Sequence, residues 1–276
     1  MTERFDKRNT LNDLSGKEWL KNTKSFWLSE KSIHDKDAFD HPAPFLIKDI
    51  MKLISLFTKK HMRVLDPFCG SGTTLIASLL LERYGIGIDI NEDFKDLSYK
   101  RIEKIFEPSL FEKNKFEYHI GDSNEIISKI QNVDYIVTSP PYHNILKNKG
   151  NGTRTIKKNG YRNGARIGVE YYSELPEDLG NQKTYNDFLK LLKEIMEKAY
   201  NVLKYKKYCS VIISDFTVEK KEICVHGDIV KIMEEIGFEF CGTTILLQDN
   251  KPLYPFGYPY AYKINHMHQN IINFRK

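Results

Sequence analysis

The chain has 276 residues, 41% of them hydrophobic, and a formal net charge of +5 at neutral pH. This length suits one sizeable domain, and the composition is ordinary for a soluble globular protein. The most apolar stretch runs only from Leu75 to Leu81 and the first residues form no apolar signal region, so we expect a cytoplasmic protein with no membrane partner.

Residues 1–40 are polar, and we interpret them as an N-terminal arm. Ser15 and Glu18 stand at capping-box spacing and predict a short helix there. A stronger amphipathic pattern follows Pro44, because residues 45–57 carry apolar side chains at helical spacing. We expect this helix to open the main domain, residues 41–276.

From residue 62 onward, short apolar segments alternate with longer helical ones. Strands are predicted at 63–65, 85–89, 116–120, 134–138, 208–214, 238–247 and 269–274. Helices are predicted between them at about 72–83, 91–107, 123–131, 184–204 and 225–236. This alternation is typical of an α/β domain, and we predict a mostly parallel seven-stranded sheet with helices on both faces.

The first of these strands runs into a glycine-rich turn, residues 66–74, that opens a helix. A phosphate-binding P-loop is excluded because no lysine follows the second glycine, and Leu75 replaces the third small residue of a dinucleotide-binding turn. Asp66 instead favours a positively charged ligand. Asp89 ends the next strand, where a carboxylate can accept hydrogen bonds from ribose hydroxyls. The turn therefore predicts S-adenosylmethionine as the ligand.

A second motif, Ser139-Pro140-Pro141-Tyr142, follows the fourth strand. The two prolines fix φ and remove two donors, so the Ser139 side chain and the Pro140 carbonyl can each accept an N–H from an amine. Such contacts favour a pyramidal nitrogen whose lone pair is nucleophilic. Tyr142 offers a face on which an extruded base can stack. The alternative interpretation is that the two prolines simply end a strand.

Residues 143–183 interrupt the α/β rhythm and are rich in Asn, Gly, Lys and Arg. Between His143 and Gly168 there are no acids and seven basic residues, namely Lys147, Lys149, Arg154, Lys157, Lys158, Arg162 and Arg166. Because this segment directly follows the second motif, we interpret it as a DNA-recognition insertion whose cations neutralise phosphates. A solvated basic loop with no partner is the alternative.

The connection between the last two strands carries five alternating aromatic residues. They are Tyr254, Phe256, Tyr258, Tyr260 and Tyr262. Two interpretations are equally compatible with the pattern: the rings line a base pocket, or they pack over the last two strands.

The cysteines and the late histidines show no metal-site pattern. The four cysteines, at positions 69, 209, 224 and 241, form no CxxC pair, so we expect neither a disulfide framework nor a bound metal. None of them follows a proline, which argues against the thiolate attack used in cytosine C5 methylation. His266 and His268 are interpreted as polar surface.

The glycine turn and the Ser-Pro-Pro-Tyr motif together resemble the DNA amino-methyltransferase family, which modifies N6 of adenine or N4 of cytosine. Residues 41–45 are similar to the family's upstream cofactor motif, and Gly121-Asp122-Ser123 matches the position whose acid contacts the cofactor adenine. The resemblance implies a Rossmann-like class I methyltransferase. It places the cofactor against Phe45, Asp66, Phe68, Gly70, Gly72, Thr73, Asp89 and Asp122.

The resemblance further implies direct methyl transfer to a flipped base in DNA, and the serine of the second motif favours cytosine N4. The motif order does not assign the base, because many cytosine-N4 enzymes run in a permuted order. A cognate restriction endonuclease is a further partner that this family allows. Adenine N6, an RNA amine, a cofactor-binding regulatory subunit and a nicotinamide oxidoreductase remain as alternatives.

Overall fold

The structure is a computed structural model. It describes residues 5–40, 45–106, 116–143, 155–157, 160–162, 173, 175–219, 221–249 and 251–276. For residues 39, 40, 155–157 and 160–162 it describes only the backbone. No helix within these ranges combines the length and the apolar character that crossing a bilayer requires.

Helices and strands alternate through most of the chain. The helices are α1 (Gly16–Asn22), α2 (Ile47–Phe57), α3 (Thr73–Leu80), α4 (Glu92–Glu103), α5 (Ser123–Ile126), α6 (Tyr185–Val202) and α7 (Val225–Ile236). The strands are β1 (Phe26–Leu28), β2 (Arg63–Asp66), β3 (Tyr84–Asp89), β4 (Phe116–Ile120), β5 (Val133–Thr138), β6 (Thr155–Lys157), β7 (Gly160–Arg162), β8 (Leu203–Ile213), β9 (Phe216–Val218), β10 (Lys221–Ile223), β11 (Glu239–Leu247) and β12 (His268–Arg275).

Eight of these strands form one sheet in the order β1-β11-β12-β8-β5-β2-β3-β4. Each neighbouring pair is parallel except those that include β12, which runs antiparallel to both β8 and β11. The predicted mostly parallel α/β sheet is confirmed. The predicted count of seven strands is wrong by one, because the sheet also includes β1.

The additional strand comes from the segment interpreted as an N-terminal arm. Ser15 and Glu18 form the predicted capping box of α1. Further along, β1 pairs in parallel with β11. Trp27 is only 5% exposed and packs in a buried cluster with α2, whereas its neighbour Phe26 is 53% exposed. A strand of three residues within a polar region has too short an alternation to stand out in the sequence.

Helices cover both faces of the sheet, as the alternation of side chains along β2 and β5 demands. Leu65 and Ile136 belong to the buried cluster that contains residues of α6 and α7. Their neighbours Val64 and Tyr135 belong to the cluster that contains residues of α2. Successive residues of a strand point to opposite faces, so each strand is packed on both sides and its carboxyl end is held rigidly.

Candidate active site

The glycine turn joins β2 to α3 through two residues with positive φ. Gly70 has φ +49° and Gly72 has φ +76°. A Cβ at Gly72 would lie 1.9 Å from Ser98 Oγ, so a side chain there is excluded by both its backbone angle and its neighbour. The turn thereby brings the start of α3 close to Ser98 of α4.

Asp89 ends β3 and lies against this turn. Its Oδ2 accepts a 2.7 Å hydrogen bond from the Gly70 amide, and its Oδ1 accepts a 2.9 Å bond from the Asn91 amide. Burial raises the pKa of Asp89 to about 7, and the nearby carboxylates of Asp178 and Asp66 add to this shift. Each oxygen retains a lone pair, so the group can still accept hydrogen bonds from a ligand.

Asp66 is buried beneath the same turn. Its carboxylate accepts hydrogen bonds from Thr74 Oγ1 at 2.5 Å, Thr138 Oγ1 at 2.7 Å and the Phe68 amide at 3.1 Å. Burial raises its pKa to about 6. The Asp66 carboxylate therefore ties the start of α3 to the end of β5, and its role as a cofactor ligand stays a prediction.

The second motif begins where β5 ends, directly after Thr138. Its four residues line one pocket together with three of the predicted cofactor residues, Phe68, Asp89 and Asp122. The bond from Thr138 to Asp66 fixes the two motifs next to each other. The sequence-predicted catalytic and cofactor groups thus meet at the carboxyl edge of the sheet.

Tyr142 is held from the neighbouring strands. Its hydroxyl oxygen accepts a 3.0 Å hydrogen bond from the Ser214 amide and a 3.3 Å bond from Gln269 Nε2. Its ring meets Phe216 edge-on, with centroids 5.6 Å apart, and only 8% of the residue is exposed. The orientation of Tyr142 is therefore set by contacts around β8 and β12.

Five predicted cofactor residues do not line the pocket. They are Phe45, Asp66, Gly70, Gly72 and Thr73. Three of them form hydrogen bonds in and around the glycine turn: Thr73 Oγ1 donates to the Phe45 carbonyl at 3.3 Å, and the Gly70 carbonyl accepts a bond from the Tyr118 hydroxyl at 2.8 Å. Their assignment to the cofactor remains a prediction.

Several pocket residues were missed in the sequence. These are Pro67, Ile90, Phe94, Ser123, Glu177, Asp178, Leu179 and Ile195. Three of them directly follow a predicted residue, which is a signal that sequence reasoning could have used. Glu177 and Asp178 come from the end of the basic insertion, and only the folded chain places these two acids beside Asp89.

Arg101 of α4 is a buried residue that holds the glycine turn by hydrogen bonds. Its Nη1 donates to the Ser71 carbonyl at 2.6 Å, to Ser71 Oγ at 3.0 Å and to Thr73 Oγ1 at 2.9 Å. The residue is 1% exposed, and burial lowers its pKa. In the sequence Arg101 resembles a surface cation near a helix end, so its role was not anticipated.

The predicted DNA-contacting residues lie mostly outside the described residues, namely Lys147, Lys149, Arg154, Lys158 and Arg166. Lys157 ends β6 and Arg162 ends β7, and these two strands form an antiparallel hairpin. The assignment of this segment to DNA stays a prediction.

One group of metal-ligating residue types occurs within the part of the chain that the structure describes. Asp215, Cys224 and His226 place their ligand atoms within 4.8 Å of one another. Asp215 Oδ1 accepts hydrogen bonds from both the amide and Nδ1 of His226, at 3.1 Å and 2.9 Å, which fastens the first turn of α7. The sequence spacing did not reveal this group, and the expected absence of a metal stays a prediction.

Comparison with known proteins points to one family. The family model described as DNA methylase, for N6 and N4 methyltransferases, matches residues 1–100 and 133–276. The Type II methyltransferase M.BglI of Bacillus subtilis is 34% identical over 118 residues, 42% of this chain and 32% of that protein. M2.MboI of Moraxella bovis is 38% identical over 101 residues, 36% of each chain. The matched segment spans about a third of the length of these relatives.

Solved structures share the fold at low sequence identity. TrmN from Thermus thermophilus has a TM-score of 0.51 and 14% identity over 88% of this chain and 52% of that chain. Precorrin 8w decarboxylase of Methanobacterium thermoautotrophicum has a TM-score of 0.50 and 12% identity over 91% and 96% of the two chains. These likenesses concern the fold alone. Because the family model covers most of the chain, the protein belongs to the DNA methylase family of S-adenosylmethionine-dependent N6 and N4 methyltransferases.

Proposed function

We propose that the protein transfers a methyl group from S-adenosylmethionine to the exocyclic N4 amine of cytosine in DNA. One observation carries the proposal: a single pocket is lined both by Asp89 and by Ser139–Tyr142. A seat for the methyl donor and a receptor for an amine are therefore contiguous. Such proximity supplies most of what a direct transfer between two bound molecules requires.

The lining of the pocket fits the cofactor chemically. Asp89 is a half-buried carboxylate with unused acceptor capacity, which suits the two ribose hydroxyls. Phe68, Ile90 and Phe94 provide apolar surface for the adenine ring. The acids Glu177 and Asp178 attract the positively charged amino acid end. When bound, the cofactor supplies an electrophilic methyl group: the carbon–sulfur bond breaks as the carbon–nitrogen bond forms, the neutral thioether S-adenosylhomocysteine is left, and the amine nitrogen releases one proton.

The second motif prepares the amine. Pro140 and Pro141 restrict the backbone, so the carbonyl of Pro140 is held in place without a competing amide donor. That carbonyl and the Ser139 hydroxyl accept hydrogen bonds from the two N–H groups of the amine. These bonds favour a pyramidal nitrogen, whose lone pair is no longer conjugated with the ring of the base. Tyr142, fixed by Ser214 and Gln269, stacks on the extruded base.

The first residue of the second motif supports cytosine as the target, since Ser139 takes the place where adenine-specific members more often carry Asp or Asn. The basic insertion, residues 143–183, supplies the contacts to DNA phosphates in this proposal. Adenine N6 is the second candidate, because the two amines require the same pair of acceptors.

The experiment combines purified protein, labelled S-adenosylmethionine and unmethylated genomic DNA, followed by separation of the nucleosides. We expect label in N4-methylcytosine. Ser139→Ala should reduce the labelling by at least about a hundredfold, roughly the effect of removing one transition-state hydrogen bond. Ser128→Ala, which changes an exposed serine outside the pocket, should cause no loss.

Each other outcome selects an alternative. Label in N6-methyladenine keeps the mechanism and changes the base. Label that appears only when RNA replaces the DNA as substrate changes the polymer. Cofactor binding without transfer to any nucleic acid indicates a regulatory subunit. A bound nicotinamide, visible by its absorbance, indicates an oxidoreductase.

A further inference from the structure

An exposed aromatic loop projects from the sheet edge that carries the candidate active site. We define the aromatic loop as residues 251–264, between β11 and β12. Tyr258, Tyr260 and Tyr262 are 81%, 94% and 90% exposed, and Phe256 is 49% exposed. These rings neither pack over the last two strands nor line the pocket. A group of exposed aromatic rings of this size marks an interaction surface.

The root of the aromatic loop is connected to the active site by hydrogen bonds. The Gln248 amide donates to the Met267 carbonyl at 2.7 Å, and Gln248 Nε2 donates to Gln269 Oε1 at 3.1 Å. Gln269 in turn donates to the Tyr142 hydroxyl at 3.3 Å. The loop therefore projects from the same edge at which the target base would be held.

The aromatic loop has a defined shape. The side chain of Asn265 bridges the Tyr254 backbone, accepting from its amide at 2.9 Å and donating to its carbonyl at 2.8 Å. Gly257 has φ +76°, and a Cβ there would lie 2.3 Å from the Ala261 carbonyl oxygen. A loop closed in this way presents its rings without a large ordering cost on binding.

The charge and the residue types of the loop select its partner. Residues 251–264 contain two lysines and no acid, which suits a polyanion. Tyrosine rings stack on nucleobases of any sequence. Extruding one base from a duplex leaves its former partner unpaired and uncovers a face of each neighbouring base, so bases available for stacking are present beside such a site.

We infer that the aromatic loop binds DNA by stacking Tyr258, Tyr260 and Tyr262 on bases that are uncovered next to the extruded target base. This inference rests on the proposed function, which places DNA at this edge of the sheet. The loop accordingly acts as a second DNA-binding element in addition to the basic insertion, and its tyrosines contribute affinity through stacking and not through charge.

The test measures binding of fluorescently labelled oligothymidylate of about 20 nucleotides, longer than the roughly 4–16 nucleotides that one such site covers. The variants are Tyr260→Ala and the triple variant Tyr258→Ala/Tyr260→Ala/Tyr262→Ala. The matched control is Tyr205→Ala, which removes a tyrosine that is 76% exposed near the opposite end of β8. Binding of S-adenosylmethionine by each variant reports that it is folded.

We expect the triple variant to bind the oligonucleotide at least about tenfold more weakly than the unaltered protein, which corresponds to about 1.4 kcal/mol. Tyr260→Ala should lose part of that affinity, and Tyr205→Ala should stay within about twofold. Tyr260→Trp should retain binding, and its indole fluorescence should be quenched by the DNA. The salt dependence should not change, because no charge is removed.

Equal affinity of the triple variant and the unaltered protein, or no measurable binding by the unaltered protein, overturns the inference. An equal loss in Tyr205→Ala also overturns it. Methylation of genomic DNA, measured in parallel, judges the proposed function separately. Methylation with an unaffected triple variant refutes the loop alone, whereas loop-dependent binding without any methylation refutes the proposed reaction alone.

Discussion

At the scale of single residues, Asp89 is subject to two opposite effects. Burial disfavours its ionised form, whereas the hydrogen bonds that it accepts favour that form. Burial, with a smaller contribution from the carboxylates of Asp178 and Asp66, raises the pKa to about 7 even though the amides of Asn91 and Gly70 lower it. Between the unfolded value near 4 and this value, the folded chain binds more protons than the unfolded chain, so this group lowers the free energy of unfolding as pH rises. Hydrogen bonds donated by the ribose hydroxyls of the bound cofactor favour the ionised form of Asp89 and oppose this effect of burial.

We therefore expect the affinity for S-adenosylmethionine to increase as pH rises through about 7. Asp89→Asn should weaken binding roughly 10- to 100-fold, because a charged acceptor is replaced by a neutral one, and should remove the pH dependence. Calorimetric titration between about pH 5.5 and about pH 8.5 measures both effects. An affinity that is flat with pH in the unaltered protein would show that Asp89 does not face the donor.

Arg101 acts on the same pocket through the turn it supports. Arg101→Met keeps the apolar stem but removes the donors to Ser71 and Thr73, so we expect the free energy of unfolding to fall by about 1–3 kcal/mol. Donor affinity should fall as well, because the glycine turn loosens. Denaturant unfolding is the measurement, and Lys100→Met, an exposed neighbour, is the control. A change below about 0.5 kcal/mol contradicts this role.

At the scale of elements, β1 fastens the N-terminal segment to the far edge of the sheet. Trp27→Ala should lower the free energy of unfolding by about 3 kcal/mol, since it empties a buried site between the sheet and α2. Phe26→Ala, on the exposed side of the same strand, should cost less than about 1 kcal/mol. Equal effects of the two substitutions in chemical denaturation would mean that β1 is not packed as described.

The elements also show how far the sequence could be interpreted. The α/β alternation predicted the sheet, and the two motifs predicted the edge at which they meet, because periodicity and strand-end positions are local signals. β1 escaped because three residues carry no period, and Arg101 escaped because a buried arginine has the same local pattern as an exposed one. Asp178 joins the pocket only through a long connection, and no local pattern could place it there.

The beginning of α7 brings Asp215, Cys224 and His226 together, and its hydrogen bonds account for the arrangement without a metal. We expect methyl transfer to survive prolonged treatment with a chelator, because neither the donor seat nor the amine receptor uses a cation. Activity assays before and after chelation, with metal content determined by elemental analysis, measure this. If chelation instead removes activity, zinc restores it, and Cys224→Ser prevents this recovery, the group binds a metal.

At the scale of the whole molecule, the proposed donor pocket and the aromatic loop share one edge of the sheet, but donor binding and DNA binding depend on different forces. In the proposed function, donor binding depends on hydrogen-bond acceptors and apolar contact, whereas DNA binding by the basic insertion depends on its positive charge. A modest net charge of +5 is sufficient for this when seven cations lie in one segment free of acids. The two affinities should therefore respond differently to salt.

Between about 50 mM and about 200 mM salt, we expect DNA affinity to fall steeply and donor affinity to stay nearly constant. Replacing Lys147, Lys149 and Lys157 by glutamine should reduce the slope of log affinity for DNA against log salt by about 0.9 for each phosphate that the protein no longer neutralises. Lys206→Gln, an exposed charge at the opposite edge, is the control and should leave the slope unchanged. If the triple replacement leaves the slope unchanged, the insertion does not bind phosphates, and stacking by the aromatic loop together with other cations must hold the DNA.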